Sequence, residues 1–206
     1  MKFVLVIDRK LLFPGLSPQG FLPLDTIDLD VVDRHGFFAE RDYMERCSHF
    51  KQLIPYVALT LGDRVLAYQR QAKHSETRLG GLWTVGFGGH IEPMDRSDAP
   101  GGLLHAAGLR ELEEETGFTV APDALVERGC INSEAEDVSS VHVGVFFTVS
   151  LDATGLDAGE IAEKVTAQAE PYRVQWLDRR ELDPLHAPQD GAWEDWTRIV
   201  LPVLAG

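Results

Sequence analysis

Cysteine is nearly missing from this chain: 206 residues contain two, Cys47 and Cys130. Neither belongs to a Cys-x-x-Cys pair, and two are too few for a disulfide framework, so both read as buried or idle thiols in a reducing compartment. Positive charge is scarce as well. Nineteen lysines and arginines stand against 33 acids, a formal charge of −14, and the cations are scattered rather than clustered. That excludes binding of a nucleic-acid duplex through a basic face. It does not exclude anionic phosphates, because metal ions and a few local arginines can reverse the field inside a cleft. Long apolar runs are absent too. Phe3-Val4-Leu5-Val6-Ile7 ends at Asp8, too short for a signal-peptide core or a membrane span. A cytoplasmic protein with no membrane partner is expected. No internal repeat or low-complexity tract is visible, and the length with 44% apolar content suits one domain with an extension.

What is present concentrates in Arg110-Glu111-Leu112-Glu113-Glu114-Glu115-Thr116-Gly117-Phe118. On a helix, Glu111, Glu114 and Glu115 fall at i, i+3 and i+4 and share one face. Taken alone, an acidic turn reads as a solvated surface. Here four glutamates crowd five positions, and Arg110 is the only lysine or arginine in 102–115 that could offset them. It precedes Glu114 by four residues, the less favourable order for a charge pair. A hard divalent cation, which takes carboxylate and carbonyl oxygens, accounts for the cluster where a surface role does not. Glu113 points elsewhere on the helix. Upstream, Gly86-Phe87-Gly88-Gly89-His90 can bring bare backbone close to a ligand.

The nine residues match the second half of the Nudix box, Arg-Glu-apolar-x-Glu-Glu-x-Gly-apolar, and the chain resembles a Nudix hydrolase of the MutT type over about residues 53–185. The first half departs from the family. Gly89 is followed by His90 to Met94 and then Asp95, where the family has Glu, and fourteen residues precede Arg110 instead of seven. Either Asp95 stands in for the box Glu or Glu92 does with a slipped register. Asp95 keeps the loop count from Gly89 and is preferred. The added turn formers around Ser97 to Gly102 are expected to bulge beside the cleft. Gly-Phe-Gly-Gly-His-Ile-Glu-Pro is similar to a box variant in the poorly characterised MutT-like phosphoesterases with long N-terminal extensions.

The resemblance implies hydrolysis of the diphosphate linkage in a nucleoside diphosphate joined to another moiety. It implies that Glu111, Glu114, Glu115 and the Gly88 carbonyl hold one to three Mg²⁺ or Mn²⁺ ions, with Arg110 orienting the carboxylates. The general base is either Glu111 or a loop glutamate. Glu170 matches the position of such a glutamate, and Glu134, Glu136 and Asp137 form a rival cluster. Candidate substrate contacts are Arg70, which ends a Gln-Arg pair common in the family, Arg78 in a loop with Lys73 and His74 that is either a phosphate-contacting rim or a solvated charged loop, and His90, which either contacts substrate or makes a structural hydrogen bond. His142 reads as a packed or paired core histidine. An isomerase of the same fold needs a cysteine before the box histidine, and Trp83 to Gly89 has none. The alternative function is a non-catalytic domain that senses a nucleotide and regulates a partner. Such modules lose box glutamates, which this chain keeps, and carry a winged helix, for which residues 186–206 are too short.

Periodicity predicts strands at Phe3–Ile7 and Leu11–Phe13, a helix within 37–50, and an exposed acidic segment from Asp25 to Asp33. A hairpin follows, 53–60 with 64–71, then a helix over 102–115 ending at Gly117. Strands at 125–131, 141–151 and 172–177 and an amphipathic helix from Trp193 to Leu204 complete the pattern, with its tryptophans in the core. The expected fold class is α/β (α+β), an α/β/α sandwich with a mixed sheet. Residues 1–50 form an N-terminal extension, packed over the domain or mediating a homodimer, and 51–206 form the Nudix domain with its C-terminal helix.

Overall fold

Two-residue periodicity in the central strands decides the layering. The computed structural model describes residues 1–70, 80–95, 101–135, 137–168 and 173–206. The N-terminal part runs β1 (Phe3–Asp8), α1 (Arg9–Leu12), β2 (Gly20–Pro23), α2 (Asp30–His35), β3 (Phe37–Glu40) and α3 (Arg41–Met44). Next come β4 (Phe50–Leu61), β5 (Arg64–Gln69), the short strands β6 (Trp83–Thr84) and β7 (Gly86–Phe87), and α4 (Gly102–Thr116). The rest is β8 (Val126–Asn132), α5 (Asp137–Ser140), β9 (His142–Ser150), α6 (Ala158–Gln168), β10 (Arg173–Asp178) and α7 (Asp195–Ala205).

These strands build one sheet with the main path β10-β5-β4-β9-β8-β2. β4 and β9 run parallel from Gln52 beside His142 to Thr60 beside Ser150, and the other strand pairings are antiparallel, so the sheet is mixed. In β4, Leu53, Val57 and Leu59 face one cluster with Ala107 and Leu112 of α4 and Ile161 and Val165 of α6. Tyr56 and Ala58 face another with Val200, Leu201 and Leu204 of α7. In β5, Leu66 and Tyr68 divide from Val65 and Ala67 in the same way. The result is the expected three layers. Burial on both faces explains why β4 and β9 read as near-continuous apolar runs, and each fully buried side chain contributes about 1.5–3 kcal/mol.

One edge of β4 is shared among three partners. β1 pairs with Phe50–Gln52 positions, β7 with Val57 and Ala58, and β5 only with Thr60 and Leu61. The expected hairpin is therefore present but splays after two residue pairs. Pro55, which has no N–H to donate, sits in the unpaired stretch between the β1 and β7 ladders, a position where proline is tolerated. The glycine loop enters at that opening.

The first fifty residues are strands and helices of this same sheet. β1 lies between β3 and the start of β4, and β2 covers β8. Leu5, Ile7, Leu12, Val31 and Val32 are buried in the cluster that holds α4 and α6. Two expectations are corrected here. The strand at Leu11–Phe13 is instead the short helix α1, capped by Asp8, whose carboxylate accepts from the Lys10 N–H at 2.7 Å. The helix within 37–50 is instead β3 and the single turn α3, because β1 offers Phe37–Glu40 a ladder partner that local sequence does not reveal. α6 had no counterpart in the sequence reading. Its signal is a capping box: Asp157 accepts from the Gly159 and Glu160 N–H groups, and Glu160 accepts from the Asp157 N–H. Among the described residues no helix is long and apolar enough to cross a membrane.

Candidate active site

The site begins with how closely α4 lies on β4. Gly108 sits against Leu125, Pro55 and Val57, while Ala107 and Leu112 are fully buried. Glu111 and Glu115, at i+3 and i+7 from Gly108, share its side of the helix and so meet the glycine loop at Gly89 and Gly88, with Arg110 and Glu114 on the adjoining flank. Gly117 ends the helix in the left-handed conformation (φ 72°), its N–H returning to the Glu113 carbonyl at 2.8 Å.

Arg110 is the hub. Its Nε and Nη2 hold the two oxygens of Asp95 at 2.5 and 2.9 Å, a bidentate charged pair of the strong kind. Nη1 donates to Glu111 at 2.7 Å and to Glu114 at 3.1 Å, and Nη2 also reaches the His90 carbonyl at 3.0 Å. The Asp95 side chain is 2% exposed and also accepts from the Glu92 N–H at 2.7 Å. Of the two candidates for the first box acid, Asp95 is the one that meets Arg110, and Glu92 lends only its backbone. The hydrogen bond with Asp95 is the largest cause holding Arg110 firmly protonated. Burial raises the pKa of Glu111, and the adjacent Arg110 offsets part of that rise.

The glycine loop is shaped by these carboxylates. A Cβ on Gly89 would fall 2.6 Å from both oxygens of Glu111, and one on Gly88 would fall 1.8 Å from the Pro55 carbonyl oxygen. At Gly88 the backbone leaves no room for a side chain, and at Gly89 one would displace the Glu111 carboxylate. The Gly88 N–H donates to Glu115 at 3.2 Å. Glu114 is the most open of the three, with its side chain 58% exposed. The three carboxylates do not all lie within 4.8 Å of one another: Glu111 and Glu114 turn to Arg110, and Glu115 to the loop. Their all-oxygen chemistry and the space cleared by two glycines nevertheless fit a hard divalent cation, and exposed Glu114 has rotamer freedom to join it.

The other expected residues divide. Arg70 lies 5.8 Å over the Tyr68 ring and donates to its hydroxyl at 3.3 Å. Tyr68 in turn stacks on Phe87 and donates to the Gly86 carbonyl at 2.6 Å, so Arg70 stands behind the glycine loop. The His90 ring contacts protein: its Nε2 lies 3.0 Å from Gln52 Oε1 and 3.2 Å from His142 Nε2. Burial pushes the His90 pKa down to about 3. His142 is buried and paired, as expected. Glu134 is taken up by two cations, Arg9 and the fully buried Lys51, the latter at 2.9 Å. Burial alone would raise its pKa, but the hydrogen bonds from Lys51 and Arg9 prevail and lower it. Burial pushes Lys51 down to about 8. Lys73, His74, Arg78, Glu136, Glu170 and residues 96–100 of the insertion lie outside the described residues. The sequence places Asp95 in the box, but nothing in it foretells the grip on Arg110 or the meeting of Glu45 and Gln52 with His90.

The NUDIX domain profile matches residues 53–197. Protein YmaB of Bacillus subtilis (strain 168) is 32% identical over 164 residues, covering 78% of this chain and 74% of YmaB. The crystal structure of Tm1382, assigned to the Nudix hydrolases, superposes with a TM-score of 0.72 at 25% identity. That likeness spans 99% of this chain and 98% of Tm1382, so it takes in the N-terminal strands as well as the matched domain.

Proposed function

The chain belongs to the Nudix family, whose hydrolases act on pyrophosphate bonds, and from that premise we propose that it is a metal-dependent pyrophosphohydrolase cleaving the diphosphate linkage of a nucleoside diphosphate joined to another moiety. The observation that carries the reading is the gathering of Asp95, Glu111 and Glu114 on Arg110, directly beside a glycine loop in which a side chain at Gly89 would displace Glu111. Glu111, Glu114, Glu115 and the Gly88 carbonyl are the groups that would hold Mg²⁺ or Mn²⁺. When bound, such ions polarise a phosphoryl oxygen, lower the pKa of the attacking water and neutralise charge on the leaving phosphate.

The chain's own residues supply the rest. Arg110, engaged by Asp95, Glu111, Glu114 and the His90 carbonyl, is proposed to hold Glu111 in one orientation and to leave substrate to other groups. Glu111, half-buried and beside Gly89, is suited to take a proton from water. Glu170 remains the loop alternative for that step. Glu134, neutralised by Lys51 and Arg9, is the weaker base. Arg78 is proposed to contact substrate, and Arg70 would have to turn from the Tyr68 hydroxyl to do so.

A panel of nucleoside diphosphate derivatives, assayed with Mg²⁺ and with Mn²⁺, tests the reading. At least one compound should release a nucleoside monophosphate, and Glu114→Gln and Glu115→Gln should each lower that turnover by about two to three orders of magnitude while leaving the fold intact. Without metal, their thermal stability should hold or rise, since like-charge repulsion is relieved. Full activity in either variant would sink the assignment of the carboxylates.

A further inference from the structure

We propose that Glu45, His90 and His142 form a second metal site, distinct from the carboxylate cluster on α4 and suited to a borderline transition-metal cation such as Zn²⁺. One ligand atom from each of the three lies within 4.8 Å of the others. The two imidazole Nε2 atoms are 3.2 Å apart, and Glu45 Oε1 is 3.8 Å from His90 Nε2. A tetrahedral ion with nitrogen and oxygen ligands at about 2.0–2.2 Å needs ligand atoms roughly 3.3–3.6 Å from one another. The side chains already stand near that spacing.

Three separate segments converge here, and the fold gives each a reason. His142 opens β9 directly beside Gln52 in the parallel register. His90 follows the glycine loop, held nearby as the Leu5 N–H donates to the Ile91 carbonyl at 2.9 Å. Glu45 follows α3, where Arg41 Nε donates to its Oε1 at 3.1 Å. Arg41 orients the carboxylate and offsets part of its charge.

Gln52 adds an independent sign. Its side chain is fully buried, its Oε1 is 3.0 Å from His90 Nε2, and its Nε2 has no hydrogen-bond partner. Its amide oxygen, facing the His90 ring nitrogen, is placed as a neutral fourth donor. Around a cation, the two ring nitrogens and the amide oxygen would all act as electron-pair donors. Nitrogen donors select Zn²⁺ and its transition-metal neighbours over Mg²⁺, which separates this site chemically from the all-oxygen cluster. Occupied, it would clamp the N-terminal segment to the glycine loop and to β9. The inference stands on this geometry and is independent of the hydrolytic reading.

The test uses the full chain, stripped with chelator and then held in excess Mg²⁺ so that the carboxylate cluster is saturated. Zn²⁺ is titrated by calorimetry, and Co²⁺ by visible absorption, whose intensity distinguishes four-coordinate from six-coordinate binding. One equivalent of Zn²⁺ should bind, with a rise in Tm. Glu45→Gln and His142→Ala should each weaken binding by at least about a hundredfold, since loss of an outer partner alone costs about 10- to 100-fold. The Glu114→Gln, Glu115→Gln double variant should bind as the parent does. Should His142→Ala fail to fold, Glu45→Gln, with its side chain 32% exposed, carries the comparison. Absence of stoichiometric Zn²⁺ binding, or unchanged affinity in Glu45→Gln, would overturn the proposal.

Discussion

Asp95 is where a single residue governs the candidate site. Its buried carboxylate fixes the Arg110 fork, and Arg110 fixes Glu111 and Glu114, so four charged groups share one geometry. Replacing Asp95 by Asn keeps the shape but removes the charge that two guanidinium bonds require. Hydrogen bonds to charged groups are worth about 1.5–3 kcal/mol. Asp95→Asn should therefore lower unfolding free energy by about 2–3 kcal/mol in denaturant melts. It should also lower kcat, because Arg110 becomes free to swing and Glu111 with it. An unchanged melt would mean that Arg110 is held by its other partners alone. The shortened acid was legible in the chain. Its role was not, because fifteen residues of sequence separate it from Arg110 and only the return of the chain brings them together.

At the scale of elements, Glu134 joins parts that are far apart in sequence. It follows β8 and binds Arg9 of α1 and Lys51 of β4, while Lys51 also donates to the Ser140 carbonyl at 2.8 Å. Two cations, one of them fully buried, share one carboxylate. The folded pKa of Glu134 lies below its ordinary value of 4.5, so its contribution is complete above that value and is lost as the pH falls through the lower folded value. Glu134→Gln should be less stable than the parent by about 2 kcal/mol at neutral pH, because Lys51 is left buried without its counter-charge. That gap should close as the pH falls below 4.5, since the parent then loses the same charge. Melting temperatures collected against pH for both proteins check this, and a gap independent of pH would contradict it. Element identity was most legible where the pattern is local. α4 begins and ends where its periodicity and Gly117 indicate. β3 and α1 were misread because pairing with β1 and a side-chain cap outweighed a weak local preference.

At the scale of the molecule, the first fifty residues are the open question, and the core gives an expectation. Leu5, Ile7 and Leu12 are buried beside α4 and α6, β1 occupies the edge of β4 next to the glycine loop, and β2 covers β8. Removing residues 1–50 would expose two strand edges and the apolar surface between them, a template for aggregation. We expect the 51–206 fragment to lose its cooperative thermal transition and to associate, read by circular dichroism and light scattering. A fragment that melts cooperatively near the parent's Tm would establish the N-terminal segment as a separable addition.

The chain by itself determined the family, the acidic face of α4 and the three-layer class, because each is written in short-range spacing: glutamates at helical intervals, glycines in a row, apolar residues alternating along strands. Tertiary structure alone decided which acid meets Arg110, that Glu134 is spoken for by Lys51 and Arg9, and that Glu45, Gln52, His90 and His142 meet at one point. Those outcomes depend on strand register and on which edge each strand takes. A parallel pairing such as β4 with β9 joins residues some ninety positions apart, and no local pattern records the partner.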